Sequence, residues 1–304
     1  MMPGRPLFVV GYPRSGTTLL QGLLATQEGW YSFPESHYFS VVERALSFDG
    51  ARMVRPESLP AGLDRLHEKT GVRFAPALVA GLTRQARAGK LGSRDIFEAL
   101  LRYWLDEFHP GWPARLSDWI EKTPTHANWL FRIHEVYPEA RFVHLVRHPV
   151  PAIASRIAKF PFNRTTPPEH LARHWMALQD NVEHFREAHP GRIRILRYED
   201  LAENPESVLA ATSDFLGFAF DFARLERFSD AVARYILPAE PWKADHPGWP
   251  PVNTNRDYFG RLDSTMVTLI EAVTAPGMAR HNYAPFAQVE STGAAAVCKA
   301  GEEG

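Results

Sequence analysis

The chain of 304 residues has a single cysteine, Cys298. One cysteine cannot form an intramolecular disulfide framework or a cysteine-rich zinc site. Its formal net charge of -1 gives no whole-molecule field for nucleic acid, so each cation has to be argued individually. Long hydrophobic runs are missing too. The N-terminal Leu7–Val10 run is too short for a signal-peptide core or a membrane span. The expectation is a soluble, cytoplasmic protein. A fourth absence is chemical. The stretch from Gly11 to Thr18, GYPRSGTT, has the frame of a nucleotide-binding P-loop but carries Thr17 where that loop requires lysine.

What is present is an alternation. Residues 6–11 form a short apolar run, as in a strand buried on both faces, and Leu19, Leu20, Leu23 and Leu24 follow at helical spacing. Amphipathic patterns fill about 56–110, with Ser93 expected to cap the helix that contains Ile96 to Phe108. Strands are expected near 118–121, 141–146 and 192–198. Helices are expected over about 124–137, after Pro149, over 167–188, and from Pro205 with Asn204 as cap to a stop at Gly217. Strand and helix in turn imply an α/β fold with a central parallel sheet between helices, P-loop-like, plus a helical insertion at about 56–110. Residues 1–286 read as one domain, with a disordered tail over 287–304.

The Gly11–Thr18 turn directs backbone N–H groups and a helix N-terminus at one spot, so it suits an anion. Arg14 adds a forked cation, and Ser15, Thr17 and Thr18 add hydroxyls. The strand RFVHLV ends at Arg147 rather than at a metal-holding acid, which favours a second anion over Mg²⁺. His126, His134, His144 and His148 show no metal-ligand spacing and read as scattered surface histidines; no metal site is expected.

The segments GYPRSGTTLL, FPESHYFS, EKTPTH, RFVHLVRHPVPAIASRIAK and RYEDL occur in that order, with a weaker PVN at 251–253. Together they resemble the sulfotransferases that use 3′-phosphoadenosine 5′-phosphosulfate (PAPS), closest to the tyrosylprotein and bacterial branch. The resemblance implies transfer of a sulfuryl group from PAPS to an acceptor hydroxyl or amine, release of PAP, and no metal. It places Arg14, Ser15, Gly16, Thr17 and Thr18 at the 5′-phosphosulfate, Arg14 also among the catalytic groups. It places Arg147 and Ser155 at the 3′-phosphate, with Lys159 one helical turn beyond in reach, and Tyr198 on the nucleotide's 3′ side. Glu35 matches the general base of that branch, and His37 is the rival base used by other sulfotransferases. Lys122 matches the lysine that stabilises charge on the bridging oxygen, while Glu121 points away from it if the segment is a strand.

One departure is visible. The branch has a late serine before its PVN-like segment, whereas no serine occurs here between Ser229 and Ser264. Lys243, Arg256 and Arg261 are the substitutes, with none preferred. The acceptor stays open among small molecule, glycan, lipid and peptide tyrosine. Trp30, Tyr31, Phe33, Tyr38, Phe39, Trp242 and Trp249 are expected to line its site. A nucleotide-dependent kinase and a non-catalytic nucleotide-binding module remain as alternatives.

Overall fold

A computed structural model describes residues 4–109, 118–236, 249–258 and 260–286. Five parallel strands form one sheet in the order β2-β3-β1-β4-β5: β1 is Arg5–Gly11, β2 Trp30–Ser32, β3 Asp118–Lys122, β4 Arg141–Val146 and β5 Ile193–Arg197. Side chains of a strand alternate between faces. Accordingly Phe8 and Val10 join one apolar core and Leu7 and Val9 the other.

The second core is covered by α1 (Thr17–Ala25), α8 (Tyr198–Glu203), α9 (Pro205–Leu216) and α10 (Phe228–Ala233). The first is covered by α2 (Leu59–Thr70), α3 (Pro76–Arg87), α4 (Ser93–Phe108), α5 (Leu130–Val136), α6 (Pro149–Lys159), α7 (Pro168–Ala188) and α11 (Ser264–Arg280). The result is the expected three-layer α/β fold, with α2 to α4 inserted between β2 and β3. Because every strand runs the same way, the ends of β1, β3, β4 and β5 bring Gly11, Lys122, Arg147 and Tyr198 to one edge of the sheet, where ligands of such folds sit.

Several local expectations need correction. Gly92, not Ser93, holds the cap position of α4, and its N–H bonds Asp95 Oδ2 at 2.8 Å. The Ser93 hydroxyl is instead claimed by the buried Glu43 carboxylate. Asn204 holds the cap position of α9 as expected but makes no side-chain capping bond, while its own N–H closes α8 onto the Asp200 carbonyl. The helix expected over 124–137 begins as tighter 3₁₀ turns over Pro124–Trp129 before α5.

Three of the four histidines read as surface residues are core: His126 and His144 are fully buried, and His148 nearly so. Each has a polar partner that makes burial tolerable: Glu121, Gln179 and the Ala284 carbonyl respectively. The aromatics assigned to an acceptor site are corrected likewise. Phe33, Tyr38 and Phe39 have no exposed surface and belong to the first core, and Trp30 is buried against Phe218 on the other side. Tyr31 and Trp249 are partly buried, each packed against a core. Trp242, Lys243 and the expected tail over 287–304 lie outside the described residues.

Candidate active site

The front loop runs from the end of β1 into α1 with Arg14 at φ 76° and Gly16 at φ 90°. Only glycine fits at position 16, since a Cβ there would lie 2.6 Å from the Tyr198 ring in addition to the left-handed backbone. Arg14 and His37 (φ 48°) are two of the four non-glycine residues with positive φ among the described residues. Such conformations cost energy and persist where surrounding contacts hold them. Ser15 Oγ is fully buried, with no hydrogen-bond partner among the described residues. Thr17 is buried and Thr18 half-buried in the first turn of α1.

Arg147, just past β4, is fixed on all sides. Its backbone carbonyl accepts from Trp175 Nε1 at 3.2 Å. Its guanidinium donates to Asn255 Oδ1 at 2.7 Å, to the Arg14 carbonyl at 3.1 Å and to Thr254 Oγ1 at 3.1 Å, and lies 4.3 Å from the Tyr198 ring centroid. Arg14 Nε in turn donates to Ser155 Oγ at 3.2 Å, and Ser155 donates to Tyr258 OH at 2.9 Å. Arg14, Arg147, Ser155 and Tyr198 are therefore brought together. Lys159 ends α6 one turn beyond Ser155, with an exposed side chain. Burial pushes the Arg14 guanidinium pKa down; Tyr258 and Glu35 oppose that shift and Arg147 adds to it.

Glu35 meets two cations or potential cations. Its Oε1 is 2.5 Å from Lys122 Nζ and its Oε2 is 3.4 Å from His37 Nε2. The rival bases are thus neighbours on one side of the chain, while Ser36 between them turns to Glu121. As expected for adjacent strand residues, Glu121 and Lys122 serve different sides. Upstream, Gln21 Nε2 of α1 bonds Ser32 Oγ and the Phe33 carbonyl at 2.7 and 2.8 Å, which ties the approach to Glu35 onto the helix that follows the front loop.

Several residues of this cluster were not singled out by the sequence. Thr254, Asn255 and Tyr258 come from the segment expected to close over the nucleotide; the first two accept from Arg147 and the third from Ser155. Arg256 is exposed, and Arg261 stacks outside Tyr258 at 4.9 Å. Glu199, inside the RYEDL stretch, organises this edge. Its carboxylate accepts from His148 N, Asn255 Nδ2 and Tyr283 OH. Only the contact with the remote Asn255 and Tyr283 reveals it. Among the described residues no group of three or more metal-ligating side chains converges, and no helix is long and apolar enough to cross a membrane.

The chain is 24% identical over 278 residues to the omega-hydroxy-beta-dihydromenaquinone-9 sulfotransferase Stf3 of Mycobacterium bovis, covering 79% of this chain and 69% of that one. An uncharacterized protein of Aquifex aeolicus is 25% identical over 234 residues, 74% of this chain but 27% of its own length. This chain thus spans about a quarter of that relative. The sulfotransferase domain from the curacin biosynthetic pathway shares the fold, with TM-score 0.59 and 21% identity over 93% of this chain and 99% of that one. The model of the sulfotransferase family matches residues 6–221, well over half of the sequence. The chain belongs to the sulfotransferase family.

Proposed function

We propose that residues 1–286 form one sulfotransferase domain that moves a sulfuryl group from PAPS to a hydroxyl or amine of an acceptor and releases PAP. The observation that carries this reading is the junction of two anion-binding elements. Arg14 of the front loop bonds Ser155 of α6, and Arg147 bonds the Arg14 carbonyl. A donor with one anionic group on the 5′ side and another on the 3′ side of a single ribose needs two such elements side by side. The orphaned Ser15 hydroxyl, the left-handed loop and the paired arginines fit an oxyanion-rich ligand.

In this reading Arg14, Ser15, Gly16, Thr17 and Thr18 hold the 5′-phosphosulfate. Arg147, Ser155 and Lys159 hold the 3′-phosphate. Tyr198 braces Arg147 from below, and Tyr258 closes the far side in place of the missing late serine. Glu35 takes the proton of the acceptor oxygen as that oxygen attacks sulfur in line, while the bond from sulfur to the bridging oxygen breaks. Lys122 donates to that bridging oxygen as charge develops on it. His37 sits on the second oxygen of Glu35 and orients it. No part of this needs a metal, because two arginines and a lysine supply the positive charge.

Titration calorimetry in EDTA tests the reading: PAP should bind with micromolar or tighter affinity. No binding of PAP, or tight binding of Mg-ATP in its place when magnesium is supplied, would turn the argument toward the kinase alternative.

A further inference from the structure

Where the backbone pairing of β2 with β3 stops at Ser32 and Ile120, side chains take over. Glu35 bonds Lys122, Ser36 bonds Glu121, and the His37 N–H bonds Thr123 Oγ1 at 3.2 Å. Consecutive residues of one segment are thus matched, in antiparallel sense for the first two, with consecutive residues of the other. Glu121 is the hub. It is fully buried, and its Oε1 accepts from Ser36 N at 3.2 Å, Ser36 Oγ at 2.6 Å and Thr123 Oγ1 at 2.6 Å. Its Oε2 accepts from His126 Nδ1 at 2.9 Å, and a carboxylate that only accepts fixes the proton on that nitrogen. The turn it grips contains His37 in the left-handed region, a conformation that relaxes unless it is held.

We propose that Glu121 is a positioning residue for sulfuryl transfer: by holding Ser36 and Thr123 it sets the Glu35 carboxylate against Lys122 and toward the acceptor. This rests on Glu35 being the base. Burial by itself would raise the Glu121 pKa, yet the His126 contact and the bonds from Ser36 and Thr123 outweigh it and hold the group ionised.

The test is a double-mutant cycle on the full chain, with Glu121→Gln, Ser36→Ala and Glu35→Gln, measuring kcat, acceptor KM, PAP affinity and melting temperature. Misplacing a catalytic group by a fraction of an ångström to an ångström costs roughly 10- to 100-fold. Glu121→Gln should therefore lower kcat by roughly that factor, Ser36→Ala by less, with PAP affinity unchanged. In the Glu35→Gln background neither substitution should lower kcat further, because a group that acts through Glu35 has nothing left to act on. Equal losses in both backgrounds, or a wild-type kcat in Glu121→Gln, would overturn the positioning role. Should Glu121→Gln fail to fold, Ser36→Ala carries the same cycle with only a hydroxyl removed. If Glu35→Gln alone keeps full turnover, the base assignment itself fails, and that is read from the single variant before any cycle is built.

Discussion

Lys122 Nζ stands 2.5 Å from Glu35 Oε1, with the lysine side chain 1% exposed and the glutamate 12%. A buried ammonium needs a compensating charge, and removing the opposite charge of such a pair costs about 3–5 kcal/mol. Glu35→Gln should therefore lower the melting temperature as well as activity. Glu35→Gln combined with Lys122→Met should regain stability, since an apolar group of similar shape needs no counter-ion, but should remain inactive. Thermal denaturation and turnover on the same preparations check this. Recovery of both together would assign the pair to the scaffold alone.

The choice between neighbouring bases is settled by a matched pair of variants. Glu35→Gln keeps shape but cannot take a proton, so kcat should fall by ~10²–10⁴ while PAP affinity barely changes. His37→Asn should cost far less. Rates are to be measured across pH with saturating donor; a dead His37→Asn beside an active Glu35→Gln would exchange the two roles.

Arg147 has structural bonds to Asn255, Thr254 and the Arg14 carbonyl, so its replacement disturbs the loop whatever it binds. Comparing PAP with AMP cancels that disturbance, because the two ligands differ only in the 3′-phosphate. Arg147→Ala should weaken PAP by roughly 10- to 150-fold more than AMP, the ~1.5–3 kcal/mol of a charge-assisted bond. Calorimetric titration of both ligands gives the ratio directly, and a ratio near one places the 3′-phosphate elsewhere.

Acid should destabilise the fold before its carboxylates titrate. Burial lowers the His144 pKa from 6.5 to about 3, with Gln179 opposing weakly. Its folded pKa lies below the unfolded one, so neutral His144 contributes stability above pH 6.5 that is lost as pH falls from 6.5 toward 3. The loss is at most about 1.4 kcal/mol per pH unit from this residue. His174 and His281, both lowered chiefly by burial to about 4, add to the slope. Denaturant unfolding between pH 6 and 5 should show the decline, and His144→Asn should remove about one proton's share of it. An unchanged slope in that variant would mean that His144 is already protonated in the fold.

The sequence by itself determined four of the five strands, the front loop and the family; the short edge strand β2 and the strand order came only with the tertiary structure. The apolar run Leu7–Val10, the spacing of Leu19 to Leu24 and the GYPRSGTT turn are local patterns, and local periodicity is set by backbone geometry. It also selected Arg14, Arg147, Ser155, Tyr198, Glu35 and Lys122, because the short segments around them resemble those of sulfotransferases in the same order. What it could not decide is which side chain meets which across long separations. Tyr38 and Phe39 look like a binding surface until Phe97 of α4 lies on them, Phe33 until Trp119 of β3 does, and His126 looks exposed until Glu121 faces it. Ser93 looks like a cap until Glu43 claims it, and Tyr258 has no motif around it to suggest Ser155 as its partner. Burial of a polar group is favourable only once its partner is in place. Those partners are supplied by tertiary packing, which no stretch of neighbouring residues encodes.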